Sequence, residues 1–114
     1  MTGPTPVEID VTEAASILAG PDRGRVLLLD CRTPEEHAVA RIEGSLLVPM
    51  AEIAARLDDL EAWREATVIV HCHHGVRSLR VVEWLRRRGF DHATSMRGGI
   101  DAWSARVDPG VPVY

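Results

Sequence analysis

Two short apolar segments, each followed by a polar loop and then a helix-forming stretch, restrict the folds open to this chain. Residues 26–29 and 67–70 form continuous apolar runs that are too short for independent helices, and the second run is rich in β-branched residues. Such runs are typical of strands buried on both faces, as in parallel sheets. Shorter strands are expected at residues 7–9, 46–48 and 93–96.

Helical patterns separate these segments. Asp10 and Thr33 each stand where a helix N-cap is expected, with a glutamate three residues later. Longer helices are predicted over residues 51–60 and from Ser78 to Gly89. Strands that alternate with helices through short loops predict an α/β fold, with a mostly parallel sheet covered by helices on both faces.

Length and composition predict a single domain of ordinary globular character. The chain has 114 residues, 46% of them hydrophobic, and a net charge of −4, which argues against binding to nucleic acid or to a membrane surface. We expect a loose leader at residues 1–6, a folded domain over 7–106 and an irregular tail over 107–114. Two cysteines, no signal pattern and no membrane-length apolar run favour a cytoplasmic protein.

The loop after the second apolar run carries the strongest chemical signal. Cys72 stands where the strand ends, Gly75 lies within the loop, and Arg77 precedes the predicted helix. A strand-loop-helix turn of this kind directs backbone N–H groups and the positive end of a helix dipole at one point. A cysteine there is expected to titrate below its free pKa of about 8.5 and to be a nucleophilic thiolate.

The spacing within this loop favours sulfur over phosphate. Four residues separate Cys72 from Arg77. Loops in which a thiolate takes up a phosphoryl group need five residues there, because the loop has to surround a tetrahedral phosphate. A tighter ring suits a single anionic atom on the cysteine, such as a persulfide sulfur, held by backbone N–H groups. Arg77 would either bind an anionic substrate or brace the loop through carboxylates and carbonyls. The predicted cradle consists of His73, His74, Gly75, Val76 and Ser78.

With this loop, three further segments give the chain a resemblance to single-domain rhodaneses, the thiosulfate sulfurtransferase family. The segments are residues 29–36, residues 42–45 with Pro49, the loop 72–78, and the glycine turn and short closing helix at 98–103. They occur in the family's order and span nearly the whole chain. The resemblance implies a five-stranded sheet with helices on both sides.

The resemblance also implies a function. Cys72 would take sulfane sulfur from a donor such as thiosulfate, store it as a persulfide and pass it to cyanide or a thiol, which is covalent catalysis in two half-reactions. The implied partners are a small-molecule donor and acceptor, with a sulfur-relay protein as an alternative. No cofactor is needed, because the sulfur is carried by the protein itself.

Three residues beside the first long strand extend the predicted site. Asp30 and Arg32 are expected to form an ion pair that supports the neighbouring loop, with Arg32 as a second contact for an anionic substrate. Cys31 stands where the family often has an aliphatic residue. It is expected to be a small apolar residue, and the alternative is a resolving thiol whose Cα lies within about 7 Å of that of Cys72.

Other functions are weighed against the same residues. A zinc site at 71–74 is disfavoured, because adjacent side chains on a strand end alternate in direction and no second ligand pair lies at zinc spacing; no metal site is predicted. A phosphatase or arsenate reductase is disfavoured by the loop length. A non-catalytic interaction module would not need the cysteine.

Overall fold

The computed structural model describes residues 4–114, which form one parallel sheet flanked by helices. The strands are β1 (Glu8–Ile9), β2 (Val26–Asp30), β3 (Leu46–Leu47), β4 (Thr67–His71) and β5 (Ala93–Met96). They lie in the order β1-β5-β4-β2-β3, and every strand pair is parallel. The α/β fold is therefore confirmed, and the sheet is parallel throughout.

Local sequence signals explain where the first two helices begin. The helices are α1 (Val11–Leu18), α2 (Pro34–Val39), α3 (Leu57–Leu60), α4 (Val76–Arg86) and α5 (Gly99–Arg106). Asp10 caps α1 by accepting a hydrogen bond from the Thr12 amide, and Thr33 with Glu36 forms a capping box at α2. Between residues 4 and 114 we find no helix with the length and hydrophobicity that crossing a membrane requires.

The sheet separates two apolar cores because successive side chains of a strand point to opposite faces. One core contains Leu27, Leu29, Val68 and Val70 and packs against α3 and α4. The other core combines side chains of the opposite faces with residues of α1 and α5: Val26, Leu28, Ile69, Val11, Ala14, Ile100 and Trp103. The alternation continues beyond the strands, so Cys31 and Cys72 both belong to the α3/α4 side.

Two predicted helix boundaries are wrong. The expected helix over residues 51–60 is instead a 3-10 turn at Met50–Glu52, irregular turns and the short α3. Ile53 and Leu60 are nonetheless buried, because an apolar spacing of this kind faces the core in α and 3-10 turns alike. Helix α4 begins two residues before Ser78, at the first residue after the left-handed Gly75.

Both ends of the described chain pack against the domain. Of the predicted leader, residues 1–3 lie outside the described residues, while Thr5 and Pro6 accept hydrogen bonds from the Arg86 guanidinium through their carbonyls. The segment 107–114 contains no helix or strand. It is nevertheless anchored, since Val111 is buried and Tyr114 reaches the predicted site.

Candidate active site

Cys72 lies at the carboxyl end of β4, where the loop and helix α4 wrap around its sulfur. The Gly75 amide donates to Cys72 Sγ over 3.1 Å, and the Ser78 amide lies 3.4 Å from the same atom. Ser78 Oγ is also 3.4 Å from Sγ. Two amides of the predicted cradle therefore donate to the sulfur of Cys72, and the Ser78 hydroxyl can donate to it when Cys72 is a thiolate, an arrangement that stabilises an anion.

A second hydroxyl extends this network. Ser95, on β5, has its Oγ 2.7 Å from Ser78 Oγ, and both serine side chains are buried. If Ser78 donates to the thiolate, Ser95 donates to Ser78, so that the two hydroxyls form one chain ending at Cys72. Nothing in the local sequence around Ser95 indicates this role, because it depends on the pairing of β4 with β5.

The loop can turn so tightly because Gly75 adopts a left-handed conformation, with φ of +104°. This residue is the N-cap of α4, so the backbone N–H groups of Val76 and Arg77 belong to the first turn of the helix and have no acceptor within it. The positive end of the helix dipole thus lies beside the sulfur.

A second glycine turn holds the outer side of the loop. The amides of Ile100 and Asp101, at the start of α5, donate to the carbonyl oxygens of Cys72 and His73 over 2.9 and 3.1 Å. Gly99 has φ of +62°, and a Cβ there would lie 2.5 Å from the Cys72 carbonyl oxygen and closer still to that of His73. The glycine turn of segment 98–103 therefore packs directly against the loop that holds Cys72.

Gly99→Ala is expected to destabilise the protein by about 2–4 kcal/mol, since the added Cβ combines a left-handed backbone with two carbonyl clashes. Urea denaturation of the variant and the wild type measures this loss. Gly24→Ala is the matched control, because a Cβ at Gly24 meets nothing within 4 Å. Equal midpoints for the two variants would contradict the tight contact at Gly99.

Hydrogen bonding lowers the pKa of Cys72 to about 4. The largest contribution comes from the Cys31 thiol; burial acts in the opposite direction, and Ser78 and Gly75 add to the lowering. Cys72 is therefore a thiolate at neutral pH, although its side chain is only 1% exposed. Both cysteines are free.

Arg77 pairs with a carboxylate instead of lying open to solvent. Its Nη1 and Nη2 atoms are 2.7 and 2.9 Å from Glu36 Oε1 and Oε2, a bidentate contact between α4 and α2. The Arg77 guanidinium beside Glu36 holds the pKa of that carboxyl well below its usual range. Of the two roles that the sequence left open for Arg77, this contact supports bracing of the loop.

Arg32 does not line the cradle, which corrects its prediction as a substrate contact. Its side chain is fully buried, and its Nε and Nη2 atoms donate to Asp30 over 2.9 and 2.7 Å. The remaining donors contact the Glu36 carbonyl, the Tyr114 hydroxyl and the Ala40 carbonyl. All five guanidinium N–H groups are thereby used, which leaves none for a ligand.

Asp30 is the other half of this buried pair. Its carboxylate also accepts from the Arg32 amide over 3.0 Å and lies 2.8 Å from His37 Nδ1. Burial alone would raise the pKa of Asp30, but the hydrogen bonds from Arg32 and His37 and the nearby His71 hold it below its ordinary value.

The four consecutive residues His71 to His74 occupy different environments. His71 is fully buried beneath the sheet end, and burial lowers its pKa to about 4. The ring of His73 stacks on His74, with centroids 3.8 Å apart, and on Tyr114, with centroids 3.9 Å apart. His73 and His74 thus form an aromatic rim with a tail residue that the sequence pattern did not indicate.

Asp101 completes a group of three polar side chains at this rim. Ligand-type atoms of His73, His74 and Asp101 lie within 4.8 Å of one another. The two imidazole rings are inclined by only 27°, so their in-plane lone pairs run nearly side by side and do not converge on one ion. We therefore assign no metal to this group.

The sequence matches the rhodanese-like domain family over residues 13–106. A protein named sulfurtransferase from Allochromatium vinosum is 35% identical over 106 residues, which cover 93% of this chain and 92% of that protein. The adenylyltransferase and sulfurtransferase MOCS3 of Arabidopsis thaliana is 33% identical and covers 77% of this chain, but the chain spans only 22% of that protein.

Solved structures agree with the sequence comparison. The human single-domain sulfurtransferase TSTD1 matches with a TM-score of 0.76 and 26% identity, covering 89% of this chain and 97% of its own. A rhodanese-like domain protein from Staphylococcus aureus matches with a TM-score of 0.76 and 32% identity, covering 94% and 97%. These similarities confirm the family resemblance that the four sequence segments carry.

Proposed function

Because the chain belongs to the rhodanese-like domain family, we propose that it is a sulfurtransferase in which Cys72 carries sulfane sulfur as a persulfide. The observation that carries this proposal is the convergence of the Gly75 amide, the Ser78 amide and the Ser78 hydroxyl on Cys72 Sγ. Homologues named sulfurtransferases support the same reaction class.

With thiosulfate as donor, the reaction is a double displacement. The Cys72 thiolate attacks the outer sulfur, the S–S bond of thiosulfate breaks, and sulfite leaves with the electron pair. A nucleophilic acceptor then attacks the terminal sulfur of the persulfide. Cyanide leaves as thiocyanate, and the electron pair of the broken bond returns to Cys72 as thiolate. No cofactor takes part in either step.

The cradle serves both half-reactions. In the resting protein its N–H groups stabilise the thiolate, which keeps the nucleophile ionised below neutral pH. Once sulfur is loaded, the negative charge resides mainly on the terminal sulfur. The first-turn amides of α4, at Val76 and Arg77, are the donors with no helical acceptor that could stabilise this charge.

Arg77 and Glu36 are expected to act as one unit that holds the loop against α2. Arg77→Ala and Glu36→Gln should each lower kcat/KM for thiosulfate by about tenfold, and the double variant should be little worse than either single variant, because both break the same contact. Steady-state kinetics of the three variants measures this coupling.

The same series tests the alternative in which Arg77 binds the donor anion. In that case Glu36→Gln would release the guanidinium charge and lower KM for thiosulfate, while Arg77→Ala would raise it. Opposite changes in KM would therefore contradict the bracing role and establish the direct contact.

The donor, acceptor and location follow from the same proposal. Two free, buried cysteines are typical of a reducing compartment, so we propose a cytoplasmic protein. We take thiosulfate, cyanide and small thiols as the first substrates to test. A protein acceptor in a sulfur relay is the alternative to a small-molecule acceptor.

Intact-protein mass spectrometry tests the proposal directly. Brief incubation with thiosulfate should add one sulfur atom to the protein, and peptide mapping should place it on Cys72. Cyanide should remove the sulfur and release an equal amount of thiocyanate. No adduct with thiosulfate or with glutathione persulfide would overturn the proposal and favour a non-catalytic interaction module.

A further inference from the structure

We propose that Cys31 is a positioning residue for the nucleophile, and that its thiol donates a hydrogen bond to the Cys72 thiolate so that the two sulfurs share one proton. This inference deepens the proposed function and rests on it for its catalytic meaning. The hydrogen-bonded pair itself can be tested without sulfur transfer.

Strand register brings the two cysteines together. Asp30 and His71 are direct partners in the parallel pairing of β2 with β4, and the Cys31 amide continues the ladder by donating to the His71 carbonyl over 3.1 Å. Cys31 and Cys72 are the residues that directly follow Asp30 at the end of β2 and His71 at the end of β4. Neighbouring strands lie about 4.8 Å apart, and both side chains face the α3/α4 core.

The surroundings of the pair restrict its protonation. Each cysteine is only 1% exposed, so two adjacent thiolates would repel each other without screening by water. As in other pairs of like acids, one group ionises and the other retains its proton. The vicinal thiols are thus expected to exist as one thiol and one thiolate over a wide pH range.

The hydrogen bonds decide which sulfur carries the charge. The Cys72 sulfur accepts hydrogen bonds from the Gly75 and Ser78 amides. Within residues 4–114, the hydrogen bonds found for Cys31 are those of its backbone, with His71 and Met50. The charge therefore resides on Cys72, and the proton remains on Cys31.

The directions of the pKa shifts agree with this assignment. The Cys31 thiol is the largest cause that lowers the pKa of Cys72, and the Cys72 thiolate is the largest cause that raises the pKa of Cys31. The other charged or titratable groups that face the pair are Asp30, His71 and Arg77. They are present in all variants below, so differences between the variants report the Cys31 side chain.

The test compares Cys31→Ser, which keeps a hydroxyl donor, with Cys31→Val, which removes the donor but fills a buried apolar site. Thiolate absorbance at 240 nm, and the rate of iodoacetamide alkylation at Cys72, are followed against pH in the reduced proteins. Cys31→Val should raise the pH midpoint of the Cys72 titration by at least about one unit. At a pH below the midpoint, this shift makes the thiolate fraction about tenfold smaller. Cys31→Ser should remain closer to the wild type.

Thermal denaturation of each variant shows whether packing has changed, and Cys31→Ala replaces Cys31→Val if the latter does not fold. Equal midpoints for the wild type, Cys31→Ser and the variant without a donor would overturn the proposal, whether or not sulfur transfer occurs. A raised midpoint without persulfide formation in any variant would instead retain the proton-sharing pair and overturn only the proposed reaction. Recovery of sulfur-transfer rate by Cys31→Val at alkaline pH would support both.

Discussion

Replacing Cys72 by serine is expected to abolish sulfur transfer, with kcat/KM lower by roughly a thousandfold or more, which is about 4 kcal/mol in transition-state stabilisation. Serine lacks a sulfur that can form a persulfide, and its hydroxyl does not ionise at the pH at which the cysteine is a thiolate. Thiocyanate release from thiosulfate and cyanide measures the loss.

The fold should survive this substitution. The side chains have similar shapes, and a serine oxygen can accept from the same Gly75 and Ser78 amides. Thermal denaturation followed by circular dichroism serves as the control. Activity that survives in a folded Cys72→Ser protein would show that Cys72 is not the sulfur carrier. If Cys72→Ser does not fold, the same activity measurement is made on Cys72→Ala.

Asp30→Ala is expected to cost about 3–5 kcal/mol of the free energy of unfolding, because it leaves the Arg32 charge buried without its counter-ion. Urea denaturation at pH 7 measures this cost. The matched control is Asp59→Ala, which breaks the exposed Arg56–Asp59 pair and should cost less than about 1 kcal/mol. Similar losses in the two variants would contradict the special cost of burial.

The pH dependence of this effect has a definite sign. The pKa of Asp30 is lower in the folded protein than its ordinary value. Its stabilising contribution is therefore fully present above the unfolded pKa of about 3.9 and is lost as the pH falls through the folded pKa. The difference in stability between wild type and Asp30→Ala should therefore be smaller near pH 3 than at pH 7.

Much of the fold could be predicted from short-range patterns. Continuous apolar runs predicted buried strands at 26–29 and 67–70, and each observed strand is one residue longer. The caps at Asp10 and Thr33 were expected from side chains that hydrogen-bond within three residues. The helix expected at 51–60 failed because apolar spacing alone does not distinguish one regular helix from a series of tighter turns.

In the site, too, contacts between residues close along the chain were predictable, and contacts between distant segments were not. The loop from Cys72 to Ser78 was predictable, since its chemistry lies in consecutive residues and in the glycine that lets them turn. The Ser95 hydroxyl and the Tyr114 ring could not be placed, because they reach the site from β5 and from the tail. For Arg32, the predicted ion pair with Asp30 is present, whereas the predicted substrate contact is not supported, because the tail and α2 enclose its side chain.

The sequence by itself determined the strand and helix pattern, the order of elements and the identity of the nucleophile loop, because hydrophobic periodicity, capping and loop length act between residues that are close along the chain. The tertiary structure alone decided which charges are paired and which thiols meet. Glu36 reaches Arg77, and Cys31 comes to lie beside Cys72, only after β2 pairs with β4 and the sheet brings distant segments to the same edge.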